Sequence, residues 1–499
     1  MSKYTLTLPD GRVLHATEEQ EAIIDYAIAH QGARLRLLIN ALAGAAKTST
    51  LQFLAKYMSL EATLSVAFNK RIADEMGKRL PGHVSCRTMN SVGHGVWSAA
   101  TGRKLIVDTK KNYELIKGQV EALPRHKKDA AYEVFGDMTK ALSKAKMAGY
   151  VPKGLPGRSL CTEQEFFDRL EEEPEDFFVS IVNAALRTGI QQAYAGLIDY
   201  DDQIYMSTLF GGAFPQHPRV MLDEAQDMSM LNHAMIEKLV TRDFVGVGDP
   251  NQSIYAFRGA VTSSMRRLRE RFEMHEMTLS VSFRCPKAVI RKAQGRVPHM
   301  KWPEWAEEGV VETLEKWNAH TIPEGAAIIC RNNGPLVSCA YRLLKEGRGC
   351  HMVGSDLGPN LIRTLEKIGD LALSQEIVLQ RIADWEQEKL RKARDAGSIA
   401  DRAECLRVFA GFGPTLGAAV AYAKHIFNAK GPIQLLSGHK AKGLEWDTVY
   451  HLDPDRIPSP WAKGGEALEQ ELNVRYVIET RPKVALYLVN LADFDGGLD

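Results

Sequence analysis

Apolar residues along this chain fall into two rhythms. Short, nearly unbroken runs recur at 35-LRLLIN-40, 64-LSVAF-68, 218-PRVMLDEA-225, 243-DFVGVGD-249, 326-AAIICR-331, 447-DTVYHLD-453 and 484-VALYLVN-490. They are too short for stable helices and predict strands buried on both faces. Between them, 19-EQEAIIDYAIAH-30, 48-TSTLQFLAKYM-58 and 69-NKRIADEMGKRL-80 repeat apolar positions at helical spacing. Strand–helix alternation of this kind predicts parallel sheets with crossover helices. From about 100 to 190 the chain is Lys- and Glu-rich and helical in pattern, with breaks at Pro124, Pro152, Pro156 and Pro174. A second helical stretch, from about 340 to 430, contains the charged run 376-EIVLQRIADWEQEKLRKARDAG-397, which reads as a solvated face or lever. No internal repeat or low-complexity tract appears. The expected architecture is α/β, with two parallel-sheet cores, each carrying a mainly helical insertion.

Composition narrows the class. A chain of 499 residues with 45% hydrophobic and 25% charged residues is an ordinary globular protein with more than one core. A net charge of +1 excludes a globally basic coat, so any nucleic-acid surface is a local groove. The seven cysteines stand singly, without a C-x-x-C pair, which argues against a zinc site or disulfide framework and fits a reducing cytoplasm. The N-terminus lacks the apolar core of a signal peptide, and no run reaches the roughly 18 apolar residues of a membrane span.

Two stretches carry chemistry. In 41-ALAGAAKTST-50 a short apolar run feeds a loop of small residues and then a helix, with Lys47 and Thr48 placed as in G-x-x-x-x-G-K-[ST]. Alanine stands at both defining glycines, Ala41 and Ala46; only Gly44 is left. The run 219-RVMLDEAQD-227 ends a strand in adjacent carboxylates, either a metal-holding strand end or an acidic helix start. One helix later, 246-GVGDPNQSIYAFRGA-260 gathers Gln252, Tyr255, Phe257 and Arg258 in a loop with little apolar periodicity.

Together, 222-LDEAQD-227 and 248-GDPNQSIYAFRGA-260 resemble motifs II and III of UvrD/Rep/PcrA-type superfamily 1 DNA helicases. The likeness extends in order along most of the chain, through 17-TEEQ-20, 66-VAFNKRIADEM-76, 88-TMNSVGH-94, 198-IDYDDQIY-205, 279-LSVSFRCPKAVI-290, 327-AIICRNN-333, 437-SGHKAKGLEWDTV-449 and 469-EQELNVRYVIETRPKVALYL-488. In motif style it is similar to F-box-type DNA helicases and compact phage and bacterial relatives. The resemblance implies two RecA-like cores, the first from 1–95 and 191–265 with a helical insertion at 96–190. The second would comprise 266–338 and 428–499, with a small helical insertion at 339–427.

The resemblance also implies roles. ATP and Mg²⁺ are the expected cofactors, with ATP between the two cores. Gln20 would read the adenine edge, and Ala43, Gly44, Ala45, Ala46, Lys47, Thr48 and Ser49 would cradle the phosphates. Thr48 and Asp223 would hold Mg²⁺, and Glu224 would activate water. Gln252 would sense the γ-phosphate. Arg284 and Arg481 would act as arginine fingers, whose planar fork suits phosphate oxygens. Phe283 would stack on adenine and Glu445 would bond the ribose. Phe68, Tyr255 and Phe257 would stack on bases, while Asn69, Thr88, Asn90, Arg258 and His439 would contact the DNA backbone. Asn90 departs from the family's His.

The implied function is an ATP-dependent DNA helicase or translocase moving 3′→5′ on single-stranded DNA, in replication, recombination or repair. Two rivals stand beside it: a translocase that displaces proteins with little unwinding, and an ATP-binding DNA-binding protein with weakened hydrolysis, motivated by Ala41 and Ala46. Expected partners are single-stranded DNA, single-strand/duplex junctions, and single-stranded-DNA-binding, replication or recombination proteins. A monomer is expected, cytoplasmic and nucleoid-associated, or in host cytoplasm if phage-encoded. The chain is expected to end just after the last core strand, without a fused nuclease. The basic segments 103-RKLIVDTKK-111, 125-RHKKD-129 and 140-KALSKAKMAGYVPKG-154 read equally as phosphate-tracking surfaces or solvated helix faces.

Overall fold

The computed structural model describes residues 2–8, 11–67, 69–170, 172–255, 263–354, 357–393 and 395–496, with only the backbone of Lys392. It divides into two compact units, residues 1–42 with 46–279, and 43–45 with 280–499.

The first unit is built on a six-stranded sheet in the order His275–Leu279, Arg36–Ala41, Val240–Gly248, His217–Leu222, Thr63–Ala67, Val84–Thr88. Every pairing is parallel. Its central strands are the apolar runs of the sequence, buried because helices cover both faces. Local signals start the helices. Thr17 and Gln20 form a capping box ahead of helix Glu18–His30. Asp199 and Asp202 do the same for helix Tyr200–Leu209. Strand His275–Leu279 pairs in register with Arg36–Ala41, so the first sheet continues past the expected boundary at 265/266 to residue 279.

The insertion of the first unit holds helices Lys111–Glu121, Arg125–Glu133, Phe135–Ala148, Glu163–Phe167 and Asp176–Tyr194. It has its own apolar core around Ile116, Leu142 and Val182. A short parallel ladder between Ile106–Val107 and Leu197–Ile198 closes its base.

The second unit repeats the theme. Its sheet runs Val310–Leu314, Pro482–Val489, Trp446–Leu452, Ala327–Cys330, Ile433–Ser437, Cys350–Met352, again wholly parallel. Strand Cys350–Met352 lies inside the stretch expected to be an insertion, and helix Asn333–Lys345 spans its expected start at 339. Helices Leu357–Ile368, Gln375–Lys392, Ala396–Gly411 and Leu416–Asn428 follow. They share one apolar core with the sheet, in which Leu361, Ile382, Phe409 and Ala419 join Ile328 and Leu435. The charged run at 376–397 is mainly a solvated face, anchored in the core by the buried Val378 and Ile382. No described helix is long and apolar enough to cross a membrane.

Candidate functional site

Because the strands of the first sheet are parallel, their C-terminal ends share one edge, where open α/β sheets bind ligands. Arg36–Ala41 runs into the small-residue loop, His217–Leu222 into Asp223 and Glu224, and Val240–Gly248 into Asp249. Thr63–Ala67 leads to Asn69, and Val84–Thr88 ends on Thr88. Chemistry scattered over more than 200 positions is gathered by topology alone.

The loop enters helix Lys47–Tyr57 through Ala46, which caps it at φ 55°, ψ 41° without a side-chain hydrogen bond. This is the left-handed region, roughly 1–2 kcal/mol costly for a residue with a Cβ. Gly44 sits at φ 75°, and a Cβ there would lie 2.6 Å from Ser282 Oγ and 2.7 Å from Arg284 Cβ. Glycine is thus required by conformation and by space. Residues 43–45 group with the second unit through backbone bonds. The Ala43 N–H donates to the Tyr476 hydroxyl at 3.0 Å, and the Phe283 N–H donates to the Gly44 carbonyl at 2.9 Å. Thr48 and Ser49 lie half-buried in the first turn of the helix.

Lys47 Nζ donates to both carboxylate oxygens of Glu224, at 2.9 and 3.0 Å. Burial alone would depress the lysine pKa, but Glu224, Asp223 and Asp249 hold it above its ordinary value. Glu224 itself is left-handed at φ 53°, ψ 43°. Its neighbour Asp223 is buried, and burial followed by the Glu224 charge pushes its carboxyl pKa up to about 6. From Glu224 a chain of hydrogen bonds runs inward. Gln226 Nε2 donates to Glu224 Oε2, the Asp249 N–H donates to Gln226 Oε1 at 3.0 Å, and Gln252 Nε2 donates to Asp249 Oδ2 at 2.7 Å. Lys47, Glu224 and Gln252, expected as site residues, are thereby joined through Gln226 and Asp249. Gln226 and Asp249 fall within the motifs but are not among the expected site residues; Gln226 is 1% exposed and Asp249 fully buried.

Asp223 and the Thr48 hydroxyl are hard oxygen donors, and a crowded buried carboxylate with a raised pKa is the kind of group a divalent cation would relieve. Among the described residues no cluster of three or more His, Cys, Asp or Glu could hold a metal alone. The donor set therefore fits Mg²⁺, which takes one or two carboxylates and completes its shell with nucleotide phosphates and water.

The remaining expected residues divide. Gln20 is buried, its amide donating to Thr50 Oγ1 at 2.9 Å and its carbonyl accepting from the Thr17 N–H at 3.0 Å. Its carboxamide serves the helix cap and the phosphate-loop helix. Asn69 and Thr88 are N-caps, accepting from the Ile72 N–H at 2.9 Å and the Ser91 N–H at 3.1 Å. Asn90 donates to the Tyr200 carbonyl at 2.7 Å. Tyr255 is half-buried just beyond Gln252. Phe68, Phe257 and Arg258 lie outside the described residues.

In the second unit, Arg284 Nε bonds Glu445 Oε2 at 2.8 Å, so an expected finger and the expected ribose ligand pair with each other. Arg481 is 1% exposed, with Nε donating to the Val477 carbonyl at 2.8 Å. Phe283 remains 38% exposed. His439 lies half-buried on the short helix Gly438–Ala441 after strand Ile433–Ser437.

One lysine in each of two basic segments is drawn into the insertion's interior. Lys111 Nζ donates to Asp202 at 2.6 Å and to the carbonyls of Gly189 and Leu197, both at 2.8 Å. Lys146 Nζ meets Asp199 at 2.5 Å and Asp202 at 2.8 Å. Both lysines are 1% exposed, so neither is a phosphate-tracking group or a solvated face.

A sheet edge carrying a lysine-bearing phosphate loop beside an acidic strand end is the arrangement of phosphate-loop nucleotide-binding folds. Comparison with known families narrows the class. The model of the UvrD/REP helicase N-terminal domain matches residues 24–273, and that of the UvrD-like helicase C-terminal domain matches residues 420–492. The chain belongs to the UvrD-like helicase family. It is 23% identical over 520 residues to F-box DNA helicase protein 1 of Schizosaccharomyces pombe, covering 95% of this chain and 57% of that protein. It is 24% identical over 514 residues to F-box DNA helicase 1 of Gallus gallus, covering 95% and 49%. Against ATP-dependent DNA helicase UvrD1 of Mycobacterium tuberculosis (strain ATCC 25618 / H37Rv) it is 23% identical over 489 residues, covering 84% and 59%. The chain thus spans about half to three-fifths of the length of these relatives.

Proposed function

We propose that this protein is an ATP-driven DNA helicase or translocase that moves 3′→5′ along single-stranded DNA and acts in DNA repair, recombination or replication. The observation that carries the reading is the unbroken chain from Lys47 through Glu224, Gln226 and Asp249 to Gln252. It links the phosphate loop to the segment that begins at Tyr255, where base-stacking aromatics are expected. Lys47 would neutralise β/γ-phosphate charge, releasing Glu224 to orient and deprotonate water. Asp223 and Thr48 would hold Mg²⁺, which would supply positive charge against the charge that develops on the phosphates. Arg284 and Arg481 would supply further positive charge to the transferred phosphoryl group, a contribution of roughly 10³–10⁵ in rate for arginine fingers. Gln252 would report the γ-phosphate, and Asn69, Thr88 and Asn90 would lie along the strand's phosphates. Direction of travel rests on family likeness in the motif around Gln252.

The test is ATP turnover with and without single-stranded DNA, beside unwinding of 3′-tailed and 5′-tailed duplexes, with Lys47→Ala as control. DNA-stimulated turnover lost in Lys47→Ala is expected, with preference for the 3′ tail. Absence of stimulation sinks the motor reading; preference for a 5′ tail reverses the polarity.

A second reading, ATP binding with weakened hydrolysis, is favoured by the left-handed Ala46. Turnover that rises in Ala46→Gly would support it.

A further inference from the structure

Two large aromatic side chains of the second unit stand exposed beside each other. Phe283 is 38% exposed and Trp305 is 69% exposed. Their ring centroids are 6.3 Å apart and their planes 30° from parallel. That spacing is too wide for two rings in face-to-face contact, which needs about 3.5–4 Å between carbon layers. A flat ring between them would need two such contacts, about 7–8 Å in all, so the two ring centroids would have to part by roughly 1–2 Å to admit one. Exposing a tryptophan to this extent forgoes apolar burial, and large exposed aromatics mark binding surfaces.

The surroundings say which flat ring belongs there. The Phe283 N–H is bonded to the Gly44 carbonyl of the phosphate loop, and the next residue, Arg284, is paired with Glu445. A ligand on Phe283 would therefore have anion-binding backbone and a carboxylate for a hydroxyl close at hand. That combination describes a nucleoside triphosphate: base, ribose and phosphates.

We propose that Trp305 closes over the second face of the nucleotide base, so that Phe283 and Trp305 sandwich it. The inference rests on the nucleotide-binding reading above and adds to it a residue with no role in the sequence motifs. Stacking reads the π-face and not the hydrogen-bonding edge, so the sandwich favours purines for their area and tolerates adenine and guanine alike.

The experiment measures binding of Mg²⁺-ATP, Mg²⁺-GTP and Mg²⁺-tripolyphosphate to the full chain by calorimetry, for wild type, Trp305→Ala and Trp305→Phe. Trp305 is exposed, so both variants are expected to fold. The proposal expects Trp305→Ala to weaken both nucleotides about tenfold, within the range of one base–aromatic contact. It expects Trp305→Phe to recover most of that loss and tripolyphosphate binding to stay unchanged in all three. Unchanged ATP affinity in Trp305→Ala overturns the sandwich, as does equal weakening of tripolyphosphate. So does a loss confined to single-stranded DNA binding, which would make Trp305 a DNA platform. A wild-type chain that binds none of the three ligands overturns the nucleotide reading itself, a result distinguishable from all of these.

Discussion

Removing one methyl group at Ala46 isolates the cost of its backbone. Ala46 holds φ 55°, ψ 41° where it starts the phosphate-loop helix. For a residue with a Cβ that conformation costs roughly 1–2 kcal/mol, and glycine takes it without penalty. Glycine returns part of the gain through its greater freedom in the unfolded chain, about 0.4–1 kcal/mol. The net relief in Ala46→Gly is therefore about 0.5–1 kcal/mol. It appears in the urea midpoint of the first unit if the loop keeps this shape throughout, or in ATP affinity, as a two- to fivefold lower Kd, if nucleotide binding imposes it. Urea titration with and without Mg²⁺-ATP reads both. Ala46→Val is the counter-test: a β-branched residue is a severe outlier at positive φ and is expected to lose at least about 2 kcal/mol. If Ala46→Gly moves neither quantity, or if valine is tolerated as well as alanine, the strain argument is wrong.

Asp223, with its pKa raised from 3.8 to about 6, gives a signed pH test. A raised acid pKa means the folded state binds the extra proton, so the contribution of Asp223 to stability is fully present below about pH 4 and is lost as pH rises through about 6. Asp223→Asn should be more stable than wild type at pH 8, by up to about 3 kcal/mol in urea titration, with the advantage gone at pH 4 and Mg²⁺-dependent turnover abolished. In wild type, turnover should fall as pH drops through about 6 and Asp223 takes up its proton. Gln226→Met keeps the volume but removes both hydrogen bonds of the chain; ATP affinity should hold while DNA-stimulated turnover drops about tenfold, read by paired calorimetry and ATPase assays. Lys146→Ala strands Asp199 and leaves Lys111 alone to face Asp202, and should cost about 3–5 kcal/mol in urea, whereas Lys146→Met with Asp199→Asn, which keeps the Lys111–Asp202 pair, should recover much of it.

The central strands were readable because strands covered on both faces are continuous apolar runs. Edge strands were not: 275-HEMTL-279 begins with two exposed polar residues, and 310-VVETL-314 has no buried position, so neither leaves an apolar run. Strand Val84–Thr88 is hidden for the same reason, with one buried residue in five. His275–Leu279, which pairs with Arg36–Ala41 and carries the first sheet to residue 279, is therefore silent in the apolar pattern. Within the site, the loop lysine and the strand-end carboxylates were legible because their spacing is local. The link through Gln226 was not, since its partner is a backbone N–H at Asp249, which no side-chain pattern announces. Lys111 and Lys146 read as surface charge because their carboxylates lie 91 and 53 positions away.

That buried quartet constrains how the protein can change. Lys111 and Lys146 belong to the insertion, Asp199 and Asp202 to the helix that returns the chain to the first sheet. Loss of any one member leaves an uncompensated charge in a place water does not reach. Descent by single steps must then pass through a damaged intermediate, so the four positions should be inherited as a block. The loops between the insertion's helices carry no such debt and can vary in length. A chimera that transplants a relative's insertion should fold only when it brings its own acidic helix along, making residues 111 to 209, and not the helical bundle alone, the unit of exchange.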